Sequence, residues 1–147
     1  MLTQLSWALL AAFALTTAGM AQSTAVPRIG LLSWSSCARL PTALMNGLAD
    51  LGYIPGKTFT LECRSGERAY DRLLPAAQEL VQARVDVIVA TNHPTAQAAH
   101  LATDTVPIVM IASGDPVGSG LARSLAHPGG NVTGLSYYAT ELTRKTA

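Results

Sequence analysis

The sequence predicts an α/β fold built as a doubly wound parallel sheet, and two observations carry that prediction. Short apolar, β-branched runs alternate with longer amphipathic stretches, which is the rhythm of strand and crossover helix. Each run also ends in small polar residues, as at Ser33, Thr91 and Ser113, where a buried strand gives way to a solvated loop. With 147 residues, 49% of them hydrophobic and 13% charged, the chain suffices for one compact core and not for two.

Residues 1–21 hold an apolar run at 7–15 and small residues at 18–21, a pattern that reads as a secretory leader cut near Ala21. A short linker over 22–27 follows. No Lys or Arg precedes the apolar run, and a membrane anchor is the alternative. The run is, however, far shorter than the roughly 20 residues a spanning helix needs. The mature protein is therefore expected in the periplasm or otherwise exported.

Residues 28–33 (RIGLLS) form a short apolar run and read as the first buried strand. The stretch 42–51 places Leu44, Leu48 and Leu51 on one helical face, with Pro41 at its start and Gly52 as its stop. A second strand is predicted over 58–63, reached through the turn Ile54-Pro55-Gly56. A helix is predicted over 70–83, with Leu73, Ala77, Leu80 and Val81 facing the sheet and Pro75 in its first turn. The run VDVIVA at 85–90 suits a central parallel strand covered on both faces. An Ala-rich helix over 95–102, a fourth strand over 107–112 and a shorter fifth over 131–136 complete the lobe spanning 28–136.

The formal net charge is +1, from 10 Lys and Arg against 9 Asp and Glu, and the charges are scattered. That excludes the clustered basic footprint of a nucleic-acid partner. In open parallel sheets the ligand crevice lies beyond the carboxyl ends of the strands, so strand order converts sequence position into site position. The ligand-binding candidates are Ser33, Trp34, Ser35 and Ser36 after the first strand, Arg64 and Ser65 after the second, Thr91, Asn92 and Thr95 after the third, and Ser113 and Asp115 after the fourth.

Among these, the segment Thr91-Asn92-His93-Pro94-Thr95 would open a helix whose unpaired backbone N–H groups suit a carboxylate. Plain N-capping by Asn92 or Thr91 is the alternative. His93 reads as an exposed loop histidine with no second ligand at metal spacing. Asp115 is placed to hold an ammonium group or to start an Asx turn before Pro116. Trp34 could stack on a flat ligand or pack over its own loop. Cys37 and Cys63, the only cysteines, each follow one of two strands expected to be neighbours; they form either a disulfide or two buried thiols.

Catalytic signatures are missing: the chain has no G-x-x-x-x-G-K, G-x-G-x-x-G, H-E-x-x-H, C-x-x-C or G-x-S-x-G. His93, His100 and His127 have no carboxylate pattern for acid–base work. No cofactor and no metal site is predicted, and binding is favoured over catalysis. An exported α/β enzyme and a receptor-docking sensor lobe remain the competing classes, since such folds host many functions.

Seven segments in order carry a resemblance: Arg28-Ile29-Gly30-Leu31-Leu32, Leu51-Gly52-Tyr53-Ile54-Pro55-Gly56-Lys57, Tyr70-Asp71-Arg72-Leu73, Val85-Asp86-Val87-Ile88-Val89-Ala90, Pro107-Ile108-Val109, Gly114-Asp115-Pro116-Val117 and Pro128-Gly129-Gly130-Asn131-Val132-Thr133-Gly134. Together they resemble the ABC transporter substrate-binding protein family, whose better-known members bind aromatic amino acids such as tryptophan. The resemblance implies a type I periplasmic-binding-protein fold, two α/β lobes that close on a small ligand. It also implies delivery of that ligand to an ABC permease in the membrane, driven by a cytoplasmic ATPase. Such proteins are about twice as long, so the sequence is expected to hold the amino-terminal lobe, with 137–147 beginning the crossover to a second.

Overall fold

The computed structural model describes residues 26–38 and 40–137. The leader expected over 1–21, and all but the first residue of the crossover expected over 137–147, lie outside the described residues. Five strands and three helices alternate: β1 (Arg28–Ser33), α1 (Thr42–Asp50), β2 (Thr60–Ser65), α2 (Tyr70–Gln82), β3 (Val87–Ala90), α3 (His93–Ala102), β4 (Ile108–Ser113) and β5 (Val132–Ser136). They build one sheet in the order β2-β1-β3-β4-β5, parallel throughout.

Strand order fixes where the helices lie. From β2 the chain crosses β1 to reach β3 and then steps on to β4, so right-handed crossovers place α2 and α3 on one face. The step from β1 to β2 runs the other way across the sheet and puts α1 on the opposite face. The main core forms under α2 and α3: Leu73, Ala77 and Leu80 of α2 and Ala96 and Ala99 of α3 are buried against Leu32, Ile88, Ile108 and Met110. Gly30 lets α2 approach the sheet, because a Cβ there would stand 3.0 Å from Val85 and 3.3 Å from Leu80.

Several boundaries differ from the pattern-based reading, each for a local reason. β2 starts at Thr60 rather than residue 58, because the Thr58 hydroxyl accepts the Ile54 N–H at 2.7 Å and keeps Thr58 in the turn. β3 starts at Val87 rather than residue 85. There Arg84 adopts a positive φ of 55° and Val85 N–H still points back to the Leu80 carbonyl, so the end of α2 holds these residues. Pro75 lies in the second turn of α2, not its first. Its missing N–H leaves the Asp71 carbonyl without a helical donor, while Leu73, Ala76, Ala77 and Leu80 still bury.

The expected apolar face of α1 is the larger departure. None of its residues is buried, and Leu51 is 76% exposed. The sheet beneath that face carries Ile29, Leu31, Val87, Val89, Val109, Ile111 and Leu135, by alternation from the core-facing residues. Leu31 and Val89 are buried, Val109 and Ile111 only half-buried, and Leu135 is 69% exposed. Parallel sheets are ordinarily covered on both faces, and here no described residue covers the β4–β5 side of one face. The chain by itself is accordingly expected to bind a hydrophobic dye and to self-associate in sedimentation experiments; a dye-silent monomer at every concentration would contradict this.

At the β2 edge a disulfide joins Cys37 to Cys63, with Cα atoms 5.9 Å apart and a sequence separation of 26. It ties the loop after β1 to the neighbouring strand. Closing a loop of that length lowers the entropy of the unfolded chain by an amount worth about 3 kcal/mol. Cys37→Ser with Cys63→Ser should lower the unfolding free energy in urea by roughly that amount, and an unchanged midpoint would show that the bridge adds no stability.

Candidate functional site

All five strands point the same way, so their carboxyl ends share one rim. The winding direction reverses between β1 and β3, and this switch point is where open α/β sheets form a crevice. Thr91 N–H donates to the Leu32 carbonyl at 3.2 Å and sets the loop after β3 beside the loop after β1. The structure therefore brings Ser33, Trp34, Thr91 and Asn92 to this switch point, with Ser113 one strand further along.

The polar groups at the rim are largely committed to one another. Ser33 is buried and its hydroxyl donates to the Ser36 carbonyl at 3.0 Å, while the Ser36 hydroxyl accepts the Ala38 N–H. Ser35 is exposed beside them. Trp34 is half-buried against the core and its ring centroid lies 4.6 Å from that of Tyr70, tilted by 57°. The indole thus packs against the start of α2 and the core edge.

At the start of α3 a reciprocal capping box forms. Thr95 N–H donates to Asn92 Oδ1 at 3.2 Å and Asn92 N–H to Thr95 Oγ1 at 3.0 Å. The Thr95 side chain is fully buried and its hydroxyl donates to the Asn92 carbonyl at 2.8 Å. Ala96 N–H bonds to Asn92, and Pro94 has no N–H to give. Sequence reasoning expected several unpaired donors at this helix end; among the described residues the first turn leaves only the N–H of His93 without a protein acceptor. That compact cap follows from an Asn three residues before a Thr, the spacing a capping box requires.

His93 itself is a correction. It is the first residue of α3, half-buried rather than an exposed loop residue, and its Nδ1 lies 2.9 Å from the hydroxyl oxygen of Ser113. The signal was the Asn92/Thr95 spacing, which makes Asn92 the N-cap and so puts His93 at the first helical position. A serine and a histidine at that distance resemble a nucleophile and its base, but Ser113 has no exposed surface and cannot meet a substrate from its place in the sheet.

Asp115 is exposed, and its Oδ1 accepts the N–H of Gly118, three residues on, at 2.8 Å, so one carboxylate oxygen caps the following turn instead of making the expected Asx turn, which bonds two residues on. Tyr137, which sequence reasoning did not single out, joins the rim: its N–H donates to the Ser113 carbonyl at 3.0 Å and its ring, 57% exposed, faces Gly114. Arg64 stands apart from this group. Its guanidinium pairs with Glu79 of α2 at 2.8 Å and with Glu62 at 3.5 Å. With Ser65, Arg72 and Glu79 it lines a shallow depression of about 290 Å³ on the α2 flank. Among the described residues no group of three or more His, Cys, Asp or Glu could hold a metal ion, and no helix is long and apolar enough to cross a membrane.

With this geometry in hand, comparison with known proteins places the chain. The family described as ABC transporter substrate binding protein matches residues 29–146, so the chain belongs to that family. It is 35% identical over 108 residues to a tyrosine-binding protein of Clostridioides difficile, a stretch that is 74% of this chain and 31% of the relative. Among solved structures it is similar to an ABC domain from Streptococcus pneumoniae in complex with L-Trp, with a TM-score of 0.69 at 30% identity over 76% of this chain and 39% of that one. A conserved domain protein from Vibrio cholerae gives a TM-score of 0.73 at 30% identity, covering 83% and 42%. The α/β fold is that of the periplasmic binding proteins, and the chain spans well under half the length of each of these relatives.

Because the cap of α3 is self-contained, Asn92→Ala should destabilise the protein by about 1 kcal/mol through loss of the Thr95 N–H partner. Denaturant unfolding measures this, and a change below a few tenths would show that water replaces the cap.

Proposed function

We propose that the chain is the amino-terminal lobe of an extracytoplasmic solute-binding protein, the capture component of an ABC-type uptake system with a membrane permease and a cytoplasmic ATPase as partners. The observation that carries this reading is the coincidence of the family match over 29–146 with a polar rim at the sheet's switch point. In the proposed site Trp34 and Ser35 form one side, Thr91 and Asn92 the middle and Asp115 the other side, while the buried Ser33 and Ser113 support these loops without touching the solute. Thr95 acts from beneath, by holding the cap, since its side chain is buried.

The relatives favour an amino acid as the solute: one is a tyrosine-binding protein and another is seen with L-Trp. For such a ligand Oδ2 of Asp115, which has no hydrogen-bond partner among the described residues, would take the ammonium group, and Tyr137 offers an aromatic face at the same end. Export through the leader would bring the lobe to the periplasm, where the Cys37–Cys63 bridge is stable.

A single lobe supplies one wall of a site that closes from two sides, and a ligand on it stays half solvated. Isothermal titration with L-tyrosine and L-tryptophan is therefore expected to give saturable binding weaker than micromolar. Micromolar affinity would contradict the two-wall part of the reading, and turnover of an ester or phosphate substrate would replace it with an enzyme.

A further inference from the structure

Ser113 has a hydroxyl that must donate somewhere. The residue has no exposed surface, so water is not an acceptor, and a buried hydroxyl proton without a partner is strongly disfavoured. Among the described residues its hydroxyl has one neighbour within hydrogen-bond distance, Nδ1 of His93 at 2.9 Å. For the proton of Ser113 to be satisfied, Nδ1 has to accept it. In a neutral imidazole the other nitrogen then carries the hydrogen.

We infer that His93 is a ligand-recognition residue of the rim, held by Ser113 as the Nε2–H tautomer so that its half-exposed ring offers a hydrogen-bond donor to the solute. The inference rests on the solute-binding reading and deepens it. It states which chemistry the α3 end of the crevice takes: a hydrogen-bond acceptor, with a carboxylate the best fit. Nε2 has no protein acceptor among the described residues, and the backbone N–H of the same residue is likewise uncommitted. His93 therefore supplies two donors where the capping box has used the others. Ser113 is the positioning residue in this arrangement and touches no ligand.

The test uses the full chain. Long-range nitrogen–proton correlation spectra identify the tautomer of His93 directly, with His93→Gln providing the assignment. L-tryptophan is then titrated to millimolar concentrations while the ring and the amides of Thr91 and Asn92 are followed. The expected result is an Nε2–H tautomer whose Nε2 signal moves with ligand. His93→Phe should weaken binding about tenfold, and His93→Gln, which keeps an N–H donor, should recover part of the loss. An Nδ1–H tautomer overturns the inference whatever binds. If the Thr91 and Asn92 amides move while the ring does not, and His93→Phe binds equally well, the inference fails and the solute-binding reading stands. If no rim signal moves at any concentration, both fail.

Discussion

Between β1 and β3 the chain reverses the direction in which it adds strands, and the pairing of these two strands is what the remaining architecture depends on. The register sets Leu32 opposite Ala90, and the Thr91 N–H bond to Leu32 continues the ladder one step beyond the sheet. Parallel strands need crossovers, and crossovers of one hand on either side of this pair distribute the helices to opposite faces. The same reversal sets the loops after β1 and β3 side by side at the switch point, where open sheets of this kind take their ligands. Fold and site thus share one cause, and a slip in this pairing would turn every apolar side chain of β1 or β3 to the wrong face.

The two faces of the sheet have unequal support. Under α2 and α3, small alanines let two helices lie close over Leu32, Ile88 and Met110. A Cβ at Gly134 would run into the Met110 carbonyl, and its φ of 138° suits glycine, so β5 joins β4 only with that residue in place. On the other face, among the described residues, α1 is the one helix, and none of its residues is buried. The described elements leave surface here that they do not cover.

Much of this was legible in the sequence. β-branched runs such as VIVA and IVMI could only be buried strands, and their alternation with amphipathic stretches fixed the parallel topology. The rim was legible too, because the strand direction sends Ser33, Thr91 and Ser113 to one edge. Side-chain partnerships were harder to read. Whether Asn92 offers its donors to a solute or to Thr95 depends on a backbone turn that composition does not encode, and His93 meets Ser113 across 20 residues of chain. Arg64 was misleading for another reason. Alternation along β2 sends it to the side of α2, where Glu79 holds it, although its sequence position after an apolar run suggested the crevice. The exposed α1 face followed a correct periodicity, but none of the described residues covers it.

The closed first turn of α3 has a bearing on motion. With Asn92 and Thr95 satisfying each other, this edge of the crevice needs no guest to keep its shape. The backbone there is ordered beforehand, and little freedom remains to be lost when a small molecule settles against it. In a two-lobe molecule, such an edge would travel as one stiff body, and the bending would fall to the connecting segments between lobes.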